Sequence, residues 1–142
     1  TTEAQPRQWA LSESIGDANL MVHSQIKVLV VEDEPLVRIG IAGHLEDDGF
    51  TVLEAANANE AIAVLATNPE IGIVFTDVDM PGGMDGLKLA AAIQDRWPSI
   101  GIVVTSGHRS LGVADLPAEA QFIPKPYDFG RVAMALRDMA EQ

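Results

Sequence analysis

Short apolar runs recur along the chain, each separated from the next by a stretch of helical period, and this alternation restricts the fold more than any other feature. The runs are IKVLVV (26–31), TVLEAA (51–56), IGIVFT (71–76), IGIVVT (100–105) and QFIP (121–124). Between them, EPLVRIGIAGHLEDDG (34–49) reads as a helix with Pro35 in its first turn and Gly49 as its stop. An acidic residue just before such a proline, Glu34, reads as the helix cap. NEAIAVLATN (59–68) reads as a helix capped by Asn59, and DGLKLAAAIQDRW (85–97) as one ended by Pro98. YDFGRVAMALRDMAEQ (127–142) places Phe129, Val132, Leu136 and Met139 on one helical face. A further helix is expected within 106–120, but Gly107, Gly112 and Pro117 make it a poor one. Strands that alternate with helices predict an α/β fold: a doubly wound, five-stranded parallel sheet in three layers. The strands are oily nearly throughout, as expected when helices cover both faces of the sheet.

Residues 1–24 are polar and without sustained period, and read as a leader or linker. They are expected either to be mobile or to dock as one short helical turn through Trp9, Leu11 and Ile15. Residues 25–142 form the domain proper. No apolar run exceeds strand length, so no membrane span is expected. The chain has no cysteine, which excludes disulfides, zinc-thiolate sites and thiol catalysis and suits a cytoplasmic location. Its net charge of −12 repels phosphate backbones, so neither nucleic acid nor membrane is an expected partner.

Right-handed crossovers bring the C-terminal end of every strand to one edge, where ligands of open α/β sheets bind. The residues just past the first strand are Glu32, Asp33 and Glu34; past the third come Asp77 and Asp79. Past the fourth come Thr105 and Ser106, and past the fifth Lys125 and Pro126. Carboxylates about 4 Å apart repel by ~4 kcal/mol per pair at an effective dielectric of ~20. Protonation or a cation relieves this, and an oxygen-only, half-open site suits Mg²⁺. A metal there would bind a phosphoryl group, with Lys125 and Thr105 taking further oxygens and Asp77 acting as a nucleophile that forms an aspartyl phosphate.

The segments VLVVEDE, FTDVDMPGGMDG, VVTSGH and FIPKPYD, in this order and spacing, resemble the receiver domain of two-component response regulators over about residues 26–141. The resemblance implies strand order 2-1-3-4-5, the flavodoxin-like arrangement. It implies that Asp77 accepts phosphate from a histidine kinase or a histidine phosphotransfer protein. Asp33 would be a direct Mg²⁺ ligand, Glu32 would act through water, and Asp79 would lend its backbone carbonyl to the metal. Thr105 would follow the phosphoryl group, Lys125 would pair with it, and Phe122 would be the aromatic switch residue. Pro126 would follow a cis peptide bond. The chain would then be a phospho-accepting regulator rather than an enzyme, one that switches a protein-interaction surface, with a homodimer as one form it could take.

No DNA-binding output domain is expected, which leaves a stand-alone regulator or the C-terminal receiver of a hybrid histidine kinase. The GGMDG turn with TSGH and PKPY resembles the latter group. DVDMP also resembles the nucleophile motif of haloacid dehalogenase-type phosphatases, but Pro81 stands where that motif carries Thr or Val. In that family the nucleophile lies on the first strand, whereas here Glu32 and Asp33 come first.

Overall fold

The computed structural model describes residues 26–80, 85–107 and 116–141. Its elements are β1 (Lys27–Val31), α1 (Pro35–Asp47), β2 (Thr51–Ala55), α2 (Ala58–Thr67) and β3 (Ile71–Asp77), followed by α3 (Gly86–Arg96), β4 (Gly101–Ser106), β5 (Gln121–Pro124) and α4 (Phe129–Ala140). The strands form one sheet in the order β2-β1-β3-β4-β5, and every pairing is parallel. This is the predicted doubly wound order. The expected leader (1–24), and most of the weak helix within 106–120, lie outside the described residues.

Alternation along each strand divides the core in two. Leu29 and Val31 of β1 and Ile102 and Val104 of β4 pack with Ala61 and Leu65 of α2 and with Leu89 and Ile93 of α3. Val28 and Val30 of β1, Phe75 of β3 and Val103 of β4 pack on the other face with Ile41 and Leu45 of α1 and with Val132 and Leu136 of α4. Each fully buried Leu, Ile, Val or Phe contributes roughly 1.5–3 kcal/mol over leaving it exposed. β3 serves both faces with one irregularity. Lys27 pairs with Ile71 but Val28 pairs with Ile73, so Gly72 is an extra residue, a bulge. The bulge puts Ile71 in the α2–α3 half of the core and Ile73 in the α1–α4 half, although they stand two apart.

The helix ends show where local chemistry overrode the simple reading. Asn57, not Asn59, caps α2: its side chain accepts the Glu60 N–H at 2.8 Å, while the Glu60 carboxylate accepts the Ala56 N–H at 2.7 Å. This reciprocal arrangement needs Asn and Glu three apart, a spacing Asn59 cannot supply. Glu34 occupies the cap position of α1, but its side chain makes no capping bond. Asp85 and Asp128 cap α3 and α4, so these helices begin just after the residues first assigned to them. α1 closes where Gly49 takes φ of 99°, a conformation open to glycine at no steric cost. β3 and β4 each run one residue beyond their apolar runs, so Asp77 and Ser106 lie within strands rather than after them.

Candidate functional site

The site grows from the C-terminal ends of β1, β3, β4 and β5. The β1–β2 ladder runs one step past β1, with the Glu32 N–H donating to the Ala55 carbonyl at 3.0 Å. The chain then turns, and the Glu32 carboxylate accepts the Glu34 N–H at 3.0 Å. Arg38 on α1 braces this turn: its guanidinium donates to the Glu32 carbonyl at 2.8 Å and to the Glu54 carboxylate at 3.0 Å. Asp77 closes β3 in register with Thr105 on β4. The Thr105 carbonyl accepts the Val78 N–H at 2.9 Å, and the Ser106 carbonyl accepts the Lys125 N–H at 3.1 Å. These continued ladders set Lys125 beside the acidic group, its ammonium 3.4 Å from an Asp77 carboxylate oxygen. The peptide bond between Lys125 and Pro126 is cis.

Carboxylate oxygens of Glu32, Asp33 and Asp77 lie within 4.8 Å of one another. They open onto a cavity of about 250 Å³ that Val37, Asp79, Gly107 and Lys125 also line. Glu32 and Asp77 are only 4% and 5% exposed, so water screens their charges poorly. Burial, reinforced by the charge of Asp77, pushes the Glu32 carboxyl above its ordinary range against the pull of the Glu34 N–H and Lys125. Tyr127 lies near the acidic group. Burial first, then the charges of Glu32 and Asp77, push its phenol up to about 12. The Thr105 hydroxyl oxygen is buried and, among the described residues, has no hydrogen-bond partner. A buried hydroxyl left unsatisfied costs about 1–3 kcal/mol, so this group is poised for a ligand oxygen. The crowded donor set, all oxygen and all anionic, fits a hard dication.

The response regulator receiver domain model matches residues 28–137. The chain belongs to the response regulator receiver family. It is 38% identical to sensor kinase CckA of Brucella abortus over 81% of this chain and 12% of that protein. It is 33% identical to nitrogen assimilation regulatory protein NtrX of Azorhizobium caulinodans over 75% of this chain and 24% of that protein. The chain thus spans a quarter or less of these relatives' lengths. The solved receiver domain of hybrid histidine kinase CckA superposes with a TM-score of 0.69 at 30% identity, covering 80% of this chain and 98% of that one. A receiver domain protein from Clostridium thermocellum gives 0.77 at 26% identity, covering 82% and 94%.

In this receiver, Glu32, Asp33, Asp77 and Lys125 come together as the sequence implied, with Thr105 level with Asp77. Asp79 stands apart from the carboxylate triad. Its backbone N–H donates to Asp77 Oδ1 at 3.3 Å, and its side chain accepts the Ser106 hydroxyl at 2.9 Å. Phe122 is half-buried on the edge strand β5, in register with Val104 and one step from Ile123, the partner of Thr105.

Three further residues, Ser106, Tyr127 and Gly86, shape the site. The Ser106–Asp79 bond forms only because the sheet sets β3 beside β4. Tyr127 meets Phe75 and Phe129 edge to face, with ring centroids 5.9 Å apart in both pairs. Gly86 lies so close to the end of β3 that a Cβ there would fall 2.7 Å from Val78 Cα and collide with the Asp77 carbonyl. The signal for Gly86 was present: a glycine just after a helix cap, facing the exit of a buried strand.

Proposed function

We propose that this receiver takes a phosphoryl group onto Asp77 from a phosphohistidine of a histidine kinase or histidine phosphotransfer protein. The observation that carries the proposal is the orphaned Thr105 hydroxyl, level with a buried carboxylate that already faces a lysine. An Asp77 carboxylate oxygen attacks phosphorus in line. The acyl–oxygen–phosphorus bond forms, the phosphorus–nitrogen bond of the donor breaks, and its electron pair leaves with the imidazole. Lys125 and Thr105 then take two of the new oxygens. Glu32, Asp33 and Asp77 would hold Mg²⁺, with the Asp79 carbonyl as a further donor. Bound there, the ion neutralises negative charge on the phosphoryl oxygens.

Access for the donor is supported by α1. Leu36, Val37 and Ile39 are exposed on it by 84%, 44% and 57%, and Val37 also lines the cavity. A partner helix approaching there meets apolar side chains beside the acidic group. When Thr105 turns towards a phosphoryl oxygen, it vacates space that Phe122 fills, and the surface around β5 changes for a downstream protein. Similarity to CckA, together with the sequence GGMDG, favours a second reading in which this domain serves as the receiver of a hybrid histidine kinase.

The test is chemical. Incubation with a small phosphodonor and Mg²⁺, borohydride trapping of the acyl phosphate and peptide mass spectrometry should place the label on Asp77. A label that maps elsewhere and persists in Asp77→Asn rejects the assignment. Incubation with a panel of phosphohistidine donors separates the two readings by which donor loads the domain fastest.

A further inference from the structure

Arg38 stands in the first turn of α1, where its backbone N–H donates to the Glu34 carbonyl at 2.9 Å. Its side chain, only 18% exposed, reaches back along the turn to the Glu32 carbonyl. That carbonyl belongs to the peptide unit joining Glu32 to Asp33, two of the three clustered carboxylate residues. Rotation of the unit would swing both side chains. Its upstream neighbour is held by the sheet, since the Glu32 N–H donates to Ala55. β2 ends at Ala55, however, and Asn57 already caps α2. The ladder offers the Glu32 carbonyl no further rung, and Arg38 supplies the donor instead. Glu54, level with Val30 on β2, accepts the Arg38 Nε–H at 3.0 Å. A guanidinium is planar, so fixing Nε fixes the direction in which Nη1 points.

Without an ion, carboxylates about 4 Å apart repel by ~4 kcal/mol per pair at an effective dielectric of ~20. A turn free to rotate would relieve this by splaying Glu32 and Asp33, and an arriving ion would have to gather them again. We propose that Arg38 is a positioning residue for the divalent cation: its hold on the Glu32 carbonyl keeps the Glu32 and Asp33 carboxylates gathered before the ion arrives, and Glu54 aims that hold. The proposal rests on the reading of Glu32, Asp33 and Asp77 as a Mg²⁺ site. Charge and position act in opposite directions here. Arg38 is a fixed cation beside a cation site, so by charge alone its loss should tighten Mg²⁺ binding. By position its loss weakens binding, because residues that orient metal ligands are worth about 10–100-fold in affinity.

The test is a Mg²⁺ titration of the full chain, followed through the backbone amide resonances of Asp33 and Asp77, in Arg38→Met, Arg38→Lys and Glu54→Gln. Methionine keeps an apolar stem and removes the charge, whereas lysine keeps the charge and loses the fork. Both should weaken binding, Arg38→Met by about tenfold and Arg38→Lys by less. Glu54→Gln, at an exposed position on an edge strand, should fold as the parent does and weaken binding least. Urea midpoints taken without Mg²⁺ separate position from stability. A lowered midpoint with the parent's dissociation constant makes Arg38 merely structural and overturns the proposal, as does tighter binding in Arg38→Met. A parent that binds no Mg²⁺ rejects the metal reading and this inference together, whereas a parent that binds it beside unchanged variants rejects this inference alone.

Discussion

The two ends of β3 are built on opposite principles. At one end Asp77 is 5% exposed, faces Glu32 and Asp33, and shares its level with an unsatisfied hydroxyl. At the other, Gly72 bulges out of register into open space beside aliphatic side chains. The charged end is destabilised by its own repulsion and desolvation, and the four residues between, Ile73 to Thr76, are packed to support it. The far end has slack. Function is concentrated where folding gains least, and the interior of the strand carries the difference.

Four measurements break or sharpen this contrast. The largest effect belongs to Asp77→Asn, which should abolish hydroxylamine-labile phosphate incorporation from a small phosphodonor, read by intact mass.

Next comes the pair of glycines at the two ends. Gly86→Val should cost about 3 kcal/mol in urea denaturation, because the new side chain must displace the Asp77–Val78 backbone. Gly72→Ala should stay within about 0.5 kcal/mol of the parent. Equal losses at both positions would erase the contrast.

Third is the pH dependence of Glu32. Its carboxyl titrates above the ordinary 4.5 when folded, so the folded state holds that proton more tightly than the unfolded chain. Its favourable contribution is present below about pH 4.5 and is lost as pH rises through the folded value. At pH 7 without divalent cations the ionised group is therefore a burden. Glu32→Gln should raise the urea midpoint there, the gain should fade on acidification, and added Mg²⁺ should narrow it.

The smallest effect appears only in alkali. Tyr127 rises from 10.0 to about 12 on folding, so the folded state keeps a proton that the unfolded chain has released. Stability should fall between about pH 10 and 12 and level off above. Tyr127→Phe should flatten that part of the profile and leave pH 7 unchanged. A profile identical to the parent's would detach the phenol from the acidic group.

Most of the architecture was legible because parallel strands covered on both faces must be oily along their length, and Val28–Val31 and Ile73–Phe75 are. The acidic mouth was legible for a related reason: Glu32, Asp33, Asp77 and Lys125 each follow or end such a run, and parallel topology sends all of those ends to one edge. What stayed hidden depends on choices between near-equal neighbours or on register. Asn57 and Asn59 are both capable caps, and Glu60 decides between them. Ser106 meets Asp79 only once β4 lies beside β3. Tyr127 looks like packing until the buried charges near it are known. The Gly72 bulge leaves no trace in the apolar pattern, since glycine in a buried run reads as one more strand position.

That bulge has a consequence for how the chain can vary in length. A strand normally tolerates no added or lost residue, since every side chain beyond the change turns over to the wrong side. Here the irregular step falls between Ile71 and Ile73, which already face opposite halves of the core, so removing Gly72 would restore a regular ladder and leave both Ile71 and the stretch from Ile73 to Asp77 oriented as before. The upstream margin of β3 works as an expansion joint: insertions and deletions can accumulate there while the aspartate keeps its aim.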